Sequence, residues 1–274
     1  MVAARTVARV SDPASLPVDH LGGPDGAPRL VLVHGFTQTS RCWSPFADDL
    51  ARELDVVAVD APGHGRAVDI RADLVAGARL LGEAGGRATY LGYSMGGRLA
   101  LHLALQAPEL VERLVLIGAT AGIVDETERA QRRRADDELA DHIEDVGVAT
   151  FLDEWLAQPL FAGLRPETAH LGARLANTAE GLASSLRLAG TGTQEPLWDD
   201  LPRLSMPVLV LAGVDDPKFS AVAARMAKAI GPNTTVALVP RAGHSAHLEN
   251  PGDTASIVRR WLRTHPGMAP PPPG

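Results

Sequence analysis

Gly92-Tyr93-Ser94-Met95-Gly96 sets a serine hydroxyl between two glycines, directly after the apolar run 88–91 and directly before Gly97-Arg98-Leu99-Ala100-Leu101. This order reads as strand, sharp turn, helix, with the serine strained at the apex and its hydroxyl pushed out over a sheet edge. A serine hydroxyl is a poor nucleophile or base until another group takes its proton. The candidate is His244 in Ala242-Gly243-His244. An imidazole in that role needs an acid to fix its tautomer and stabilise its cation. Asp216, in Gly213-Val214-Asp215-Asp216, is the candidate acid. Asp215 is the rival acid and reads as a turn cap; His247 is the rival base and reads as a residue packed in or near the pocket. Charge developing on a substrate oxygen needs two backbone N–H donors. Met95, after the serine, would supply one, and Phe36 in His34-Gly35-Phe36-Thr37 the other.

Each of these residues must be carried on an element that brings it to one place. Short apolar runs at 30–33, 56–59, 89–91, 114–117, 208–211 and 235–239 read as buried strands. Amphipathic stretches at 46–53, 72–82, 97–106, 221–230 and 254–263 read as helices between them. This alternation predicts an α/β chain with a mostly parallel central sheet covered by helices on both faces. Ser94, Asp216 and His244 then all follow strand carboxyl ends, in the chain order Ser, Asp, His of the α/β-hydrolase fold. Residues 6–10 and 17–21 could add an antiparallel edge hairpin. The rhythm stops at 122–202, which reads as helices at 126–143, 148–157, 168–176 and 180–189. We read 1–121 and 203–265 as the hydrolase core, 122–202 as an inserted helical cap that supplies substrate contacts, and 266–274 as a disordered Pro-rich tail.

The remaining composition narrows the class. A net charge of −7 argues against nucleic acid or an anionic membrane as the main partner. The single cysteine, Cys42, rules out an internal disulfide and reads as a buried small side chain. No apolar stretch approaches a membrane span, and the first residues lack the long apolar segment of a signal peptide. A cytoplasmic enzyme fits best. His34 reads as a residue that holds its loop by a hydrogen bond, and Asp60 as part of a structural turn.

The segments 33–43, 92–98, 216–219 and 242–251 together resemble the MenH family, the 2-succinyl-6-hydroxy-2,4-cyclohexadiene-1-carboxylate synthases of menaquinone biosynthesis. The resemblance continues through the cap: Arg132 before Asp136, Trp155 with Pro159-Leu160-Phe161, Arg174 with Asn177, and the runs 181–187 and 190–194. It spans residues 28–263. His-Gly and Gly-x-Ser-x-Gly are common to α/β-hydrolases; Tyr93, Arg98, Lys218-Phe219 and the cap pattern are more specific.

The resemblance implies a lyase in which Ser94, helped by His244 and Asp216, acts as a base on a ring carbon and pyruvate is eliminated, with no metal or other cofactor. The substrate is a small-molecule polycarboxylate, so the pocket must be cationic within an acidic protein. Arg98, one turn into the helix after Ser94, can point back toward it, and Arg132 and Arg174 would reach down from the cap. Guanidinium forks suit carboxylates because two parallel hydrogen bonds form. The resemblance also places Tyr93 and Trp155 in the pocket. Two other readings stand beside this one. Arg129, Arg132, Arg133 and Arg134 could be a solvated helix face, and the same triad could serve a serine esterase or thioesterase. A ligand-binding relative without catalysis is a third reading, which the complete triad argues against. No segment speaks to oligomeric state.

Overall fold

The computed structural model describes residues 15–265. Among these residues seven strands form one sheet in the order β1-β3-β2-β4-β5-β6-β7. They are β1 (Val18–Gly22), β2 (Arg29–Val33), β3 (Asp55–Val59), β4 (Ala88–Tyr93), β5 (Val111–Ile117), β6 (Val208–Gly213) and β7 (Thr234–Val239). All pairs are parallel except β1 with β3. The predicted edge strand therefore exists as β1 but pairs with β3; residues 6–10 and the tail at 266–274 lie outside the described residues.

The strands read as unbroken apolar runs because both faces of the sheet are covered. Along β2, Val31 and Val33 enter the cluster that includes Leu81, Leu99 and Met226. Leu30 and Leu32 point the other way, to Trp43, Phe46 and Trp261. Fully burying each such aliphatic side chain contributes about 1.5–3 kcal/mol. The first face carries α2 (Leu74–Gly85), α3 (Met95–Gln106) and α7 (Pro217–Ile230). The second carries α1 (Phe46–Leu50) and α9 (Pro251–Thr264), with the single turn α8 (Ala246–Glu249) leading into α9.

Helix ends follow local chemistry more closely than apolar periodicity does. Asp73 caps α2 by accepting from the Ala76 N–H, so that helix starts at Leu74. Asp216 accepts from the Phe219 N–H, and α7 starts at Pro217, earlier than its apolar pattern.

Between β5 and β6 lie α4 (Glu126–Leu156), α5 (Leu171–Arg174) and α6 (Ala179–Ala189). The expected break in α4 is a kink at Gly147, where φ is 77°. Helix α5 is shorter than the predicted 168–176: a 3-10 turn occupies Pro166–Thr168, and His170 follows with φ 54°. Helices α4 and α6 bury Ala140, Ile143, Phe151, Leu182 and Leu186 against each other, and Phe36 packs onto this cluster from the sheet edge. No helix among the described residues is long and apolar enough to cross a membrane.

Candidate active site

Ser94 joins β4 to α3 with φ 51° and ψ −109°, a conformation that costs a non-glycine residue about 1–3 kcal/mol. Two flanking contacts make it possible. A Cβ on Gly92 would overlap the Gly96 carbonyl, and one on Gly96 would overlap the Val33 carbonyl. Only glycines let strand and helix approach this closely. The Ser94 N–H donates to the Ile117 carbonyl at 2.8 Å, which holds the turn against β5.

His244 and Asp216 arrive from the carboxyl ends of β7 and β6. His244 Nδ1 lies 3.0 Å from Asp216 Oδ2, and its Nε2 lies 3.3 Å from Ser94 Oγ. With Nδ1–H donated to the carboxylate, Nε2 is the acceptor for the serine proton. Burial alone would raise the Asp216 pKa, but the bonds from His244 and the Phe219 N–H and the nearby charges of His244 and Lys218 outweigh it and hold the carboxyl below its usual range. Asp215 is exposed and does not meet His244; its N–H donates to the Ala242 carbonyl. His247 is buried among the rings of Trp43 and Tyr93, with centroids 4.8 and 4.5 Å away. Burial, then the charges of Arg174, His170 and His244, push its pKa well down.

The loop after β2 is locked in place. His34 Nε2 accepts from the Ala61 N–H at 3.0 Å, so Nδ1–H donates to the Gly35 carbonyl at 2.9 Å. Thr37, at φ 68°, donates its N–H to His64 Nε2 at 3.2 Å. Among the described residues the Phe36 N–H has no protein acceptor, and the Met95 N–H, at the first position of α3, has no acceptor within its helix. Asp60 accepts from the Ser40 N–H at 2.8 Å and from Arg66 Nε at 2.8 Å, a structural tie beneath this loop.

An open cleft enclosing about 850 Å³ lies over Ser94 and His244. Tyr93, Met95 and Phe36 form its floor, and Trp155, Phe161 and Leu186 its opposite wall. Trp155 stacks on Phe151 and meets Phe36 edge-on, with centroids 5.7 and 5.4 Å apart. Among the described residues its buried indole N–H has no partner. The Tyr93 hydroxyl is paired with Ser245 Oγ at 2.8 Å, and burial pushes its pKa up.

Arg98 and Arg132 both line the cleft. Arg98 Nη1 donates to the Ala189 and Gly190 carbonyls at 2.8 and 3.2 Å. Burial lowers its pKa to about 10, with Asp136 opposing and Arg132 reinforcing the shift, so it stays cationic at neutral pH. Arg132 Nε pairs with Asp136 Oδ1 at 2.7 Å, and Asp136 Oδ2 accepts from the Gly192 N–H at 3.0 Å. One carboxylate therefore fixes both a cationic wall residue and the loop that receives Arg98.

Arg174 departs from expectation. It is 1% exposed and does not line the cleft. Its Nε donates to the Ala169 carbonyl at 2.7 Å and its Nη1 to Thr37 Oγ1. The short helix α5 turns the guanidinium into the seam between α5 and the Phe36 loop, where a backbone and a hydroxyl oxygen hold Nε and Nη1, and among the described residues the buried Nη2 has no partner.

Glu249 is a site residue that sequence reasoning missed. Its two carboxylate oxygens accept from the Gly243 and Ser245 N–H groups at 2.7 and 2.8 Å, one on each side of His244. The only available signal was its place five residues after the histidine. Phe219, quoted above only within a motif, packs its ring 4.5 Å from the His244 ring.

The chain belongs to the alpha/beta hydrolase family, whose model matches residues 30–257. Within that class it belongs to the 2-succinyl-6-hydroxy-2,4-cyclohexadiene-1-carboxylate synthase, or MenH, family. The Salmonella enteritidis PT4 (strain P125109) synthase is 32% identical, over 90% of this chain and 99% of the relative. A Bacillus subtilis (strain 168) relative, named provisionally for the same synthase, is 33% identical over 88% of this chain and 92% of its own. The structure of MenH from S. aureus superposes with a TM-score of 0.83 at 29% identity, covering 90% of this chain and 98% of that one. A thermophilic esterase from Thermogutta terrifontis, solved with malate bound, superposes with a TM-score of 0.75 at 26% identity, covering 91% and 93%.

Proposed function

We propose that the chain is a 2-succinyl-6-hydroxy-2,4-cyclohexadiene-1-carboxylate synthase: a lyase of menaquinone biosynthesis that eliminates pyruvate from a succinylated enolpyruvyl cyclohexene precursor. The observation that carries this reading is the pairing of a Ser94–His244–Asp216 relay with two wall arginines, Arg98 and Arg132, in one cleft. Ester hydrolysis of a neutral substrate has no use for such cations, whereas a polycarboxylate needs them. The kinship with named synthases along nearly the whole chain supports the same reading.

In this mechanism His244 Nε2 takes the Ser94 proton, and the Ser94 oxygen takes a proton from a ring carbon. The C–H electron pair becomes a ring double bond, and the C–O bond to the enolpyruvyl group breaks. The leaving enolate takes up a proton and departs as pyruvate. Asp216 holds the imidazole in the required tautomer and balances its cation. The Phe36 and Met95 N–H groups face the oxygen on which negative charge grows; one such donor is worth about 10²–10³ in rate. Residues 122–202 act as the cap over the core at 1–121 and 203–265, with Trp155 closing the ring site. A cytoplasmic setting belongs to the same proposal.

A serine esterase or thioesterase is the second reading, favoured by the triad geometry and by the likeness to the Thermogutta esterase. There Ser94 Oγ would attack a carbonyl carbon. Ser94-dependent release of pyruvate from the precursor separates the two.

A further inference from the structure

The cleft over Ser94 has a second lobe that the proposed chemistry leaves unassigned. It is an open groove of about 1160 Å³, solvent included, between α7 and the start of α4, and shares Ser94, Arg98, Arg132 and Lys218 with the first. Aromatic and aliphatic side chains make up most of the first lobe's wall; the second adds Arg225 to the three cations that the two lobes share. It faces Arg98, Arg132, Lys218 and Arg225, against only Asp125 and Glu128, in a protein of net charge −7. Asp125 is already engaged, accepting from the Glu128 N–H at 2.8 Å as the cap of α4.

Lys218, Val222 and Arg225 follow one another at helical spacing, so one face of α7 forms a wall of this lobe. Among the described residues neither Lys218 nor Arg225 makes an ion pair; both rest on aromatic rings. Lys218 Nζ lies 5.9 Å from the Phe219 centroid, and the Arg225 guanidinium 3.7 Å from the Trp198 centroid. Trp198 is itself fixed by its indole N–H, which donates to the Gly122 carbonyl at 2.8 Å. A guanidinium stacked on a pinned indole is held in place with its hydrogen-bonding edge free for an anion.

We propose that this second lobe is the subsite for the terminal carboxylate of the substrate's succinyl arm, bound by Lys218 and Arg225. The inference rests on the synthase reading, whose product name describes a ring carboxylate and a succinyl group. Such a ligand has two carboxylates separated by a flexible chain. With the ring over Ser94 in the aromatic lobe, Arg98 and Arg132 stand at the junction for the ring carboxylate, and the arm reaches the α7 wall.

The test is equilibrium binding of two stable aromatic probes to the full chain by calorimetry. One is 2-succinylbenzoate, which has the arm carboxylate; the other is 2-acetylbenzoate, which lacks it. The wild type is expected to prefer the succinyl compound by about 10-fold or more, as one charge-assisted contact allows. Lys218→Ala and Arg225→Ala should each cut that preference about 5-fold, and Arg225→Ala, which alters the second lobe alone, should leave 2-acetylbenzoate affinity within about 2-fold. Lys228→Ala, on α7 but away from the lobe, controls for net charge and should change neither. The subsite is overturned if the wild type shows no preference for or no binding of 2-succinylbenzoate, or if Arg225→Ala weakens both probes alike. Because the assay needs no turnover, absent pyruvate release with an intact binding preference would remove the lyase reading and leave the subsite standing.

Discussion

The Asn177 carboxamide donates to the Thr37 carbonyl at 2.8 Å, across 140 positions of sequence. The same side chain accepts from the Gly65 N–H at 2.8 Å, and Arg174 meets Thr37 through its hydroxyl. The Phe36 loop is therefore held by side chains from the helical segment as well as by His34 and His64.

That arrangement makes Arg174 a positioning residue. Arg174→Ala should lower kcat about 10-fold with KM nearly unchanged, and destabilise the fold by roughly 2–4 kcal/mol because buried acceptors lose their donor. Steady-state kinetics and urea unfolding read both effects. A raised KM with unchanged kcat would show instead that Arg174 binds substrate.

Glu249 holds the backbone on both sides of His244. Glu249→Gln keeps the volume but turns an amide NH₂ toward one of the two N–H donors. We expect kcat to fall on the order of 10-fold as His244 loses its alignment. Normal kcat in a folded variant would show that the loop holds itself.

Arg98 separates substrate classes. Arg98→Ala should slow reaction of the anionic precursor at least about 30-fold, and hydrolysis of a neutral p-nitrophenyl ester by no more than about 3-fold, if the ester is turned over at all. Arg98→Lys should fall between, since an ammonium keeps the charge without the fork. Equal losses on both substrates would contradict the carboxylate role.

Stability should depend on pH through the buried histidines. Burial, the main cause, and the charge of His34 lower the His64 pKa from 6.5 to about 3, and burial lowers that of His102 to about 4. Between the folded and unfolded values the unfolded chain binds a proton that the folded chain refuses. The stabilising effect is therefore complete above about pH 6.5 and is lost as pH falls toward 3, by about 1.4 kcal/mol per pH unit for each such histidine. Urea midpoints at pH 7.5 and pH 5.5 check this: the second should be clearly lower. Equal midpoints would mean that these rings are not held neutral.

Much of this site is written locally in the chain. Gly92 and Gly96 mark a close strand–helix approach that only glycine permits, and the apolar runs of β2 to β6 mark strands buried on both faces. Since ligands gather at the carboxyl ends of such strands, Ser94, Asp216 and His244 follow from the order of the elements. Residues whose role depends on three-dimensional partners are harder to read. Arg132 and Arg174 look alike as cap arginines, yet one lines the cleft and the other is buried away from it, tied to Thr37 and Ala169. Glu249 and Asn177 act on backbone groups, which leave no trace in side-chain patterns. Lys218 and Arg225 share a helix face by their spacing, but that this face lines the cleft shows only once α7 is placed against Trp198.

The catalytic role of Ser94 in a lyase is tested by pyruvate release from the succinylated enolpyruvyl precursor, measured against its spontaneous elimination, for the wild type and for Ser94→Ala. Rapid release by the wild type and a loss of about 10³-fold or more in a folded Ser94→Ala protein are expected. A wild-type rate no faster than the spontaneous one, or equal rates for the two proteins, would contradict that role.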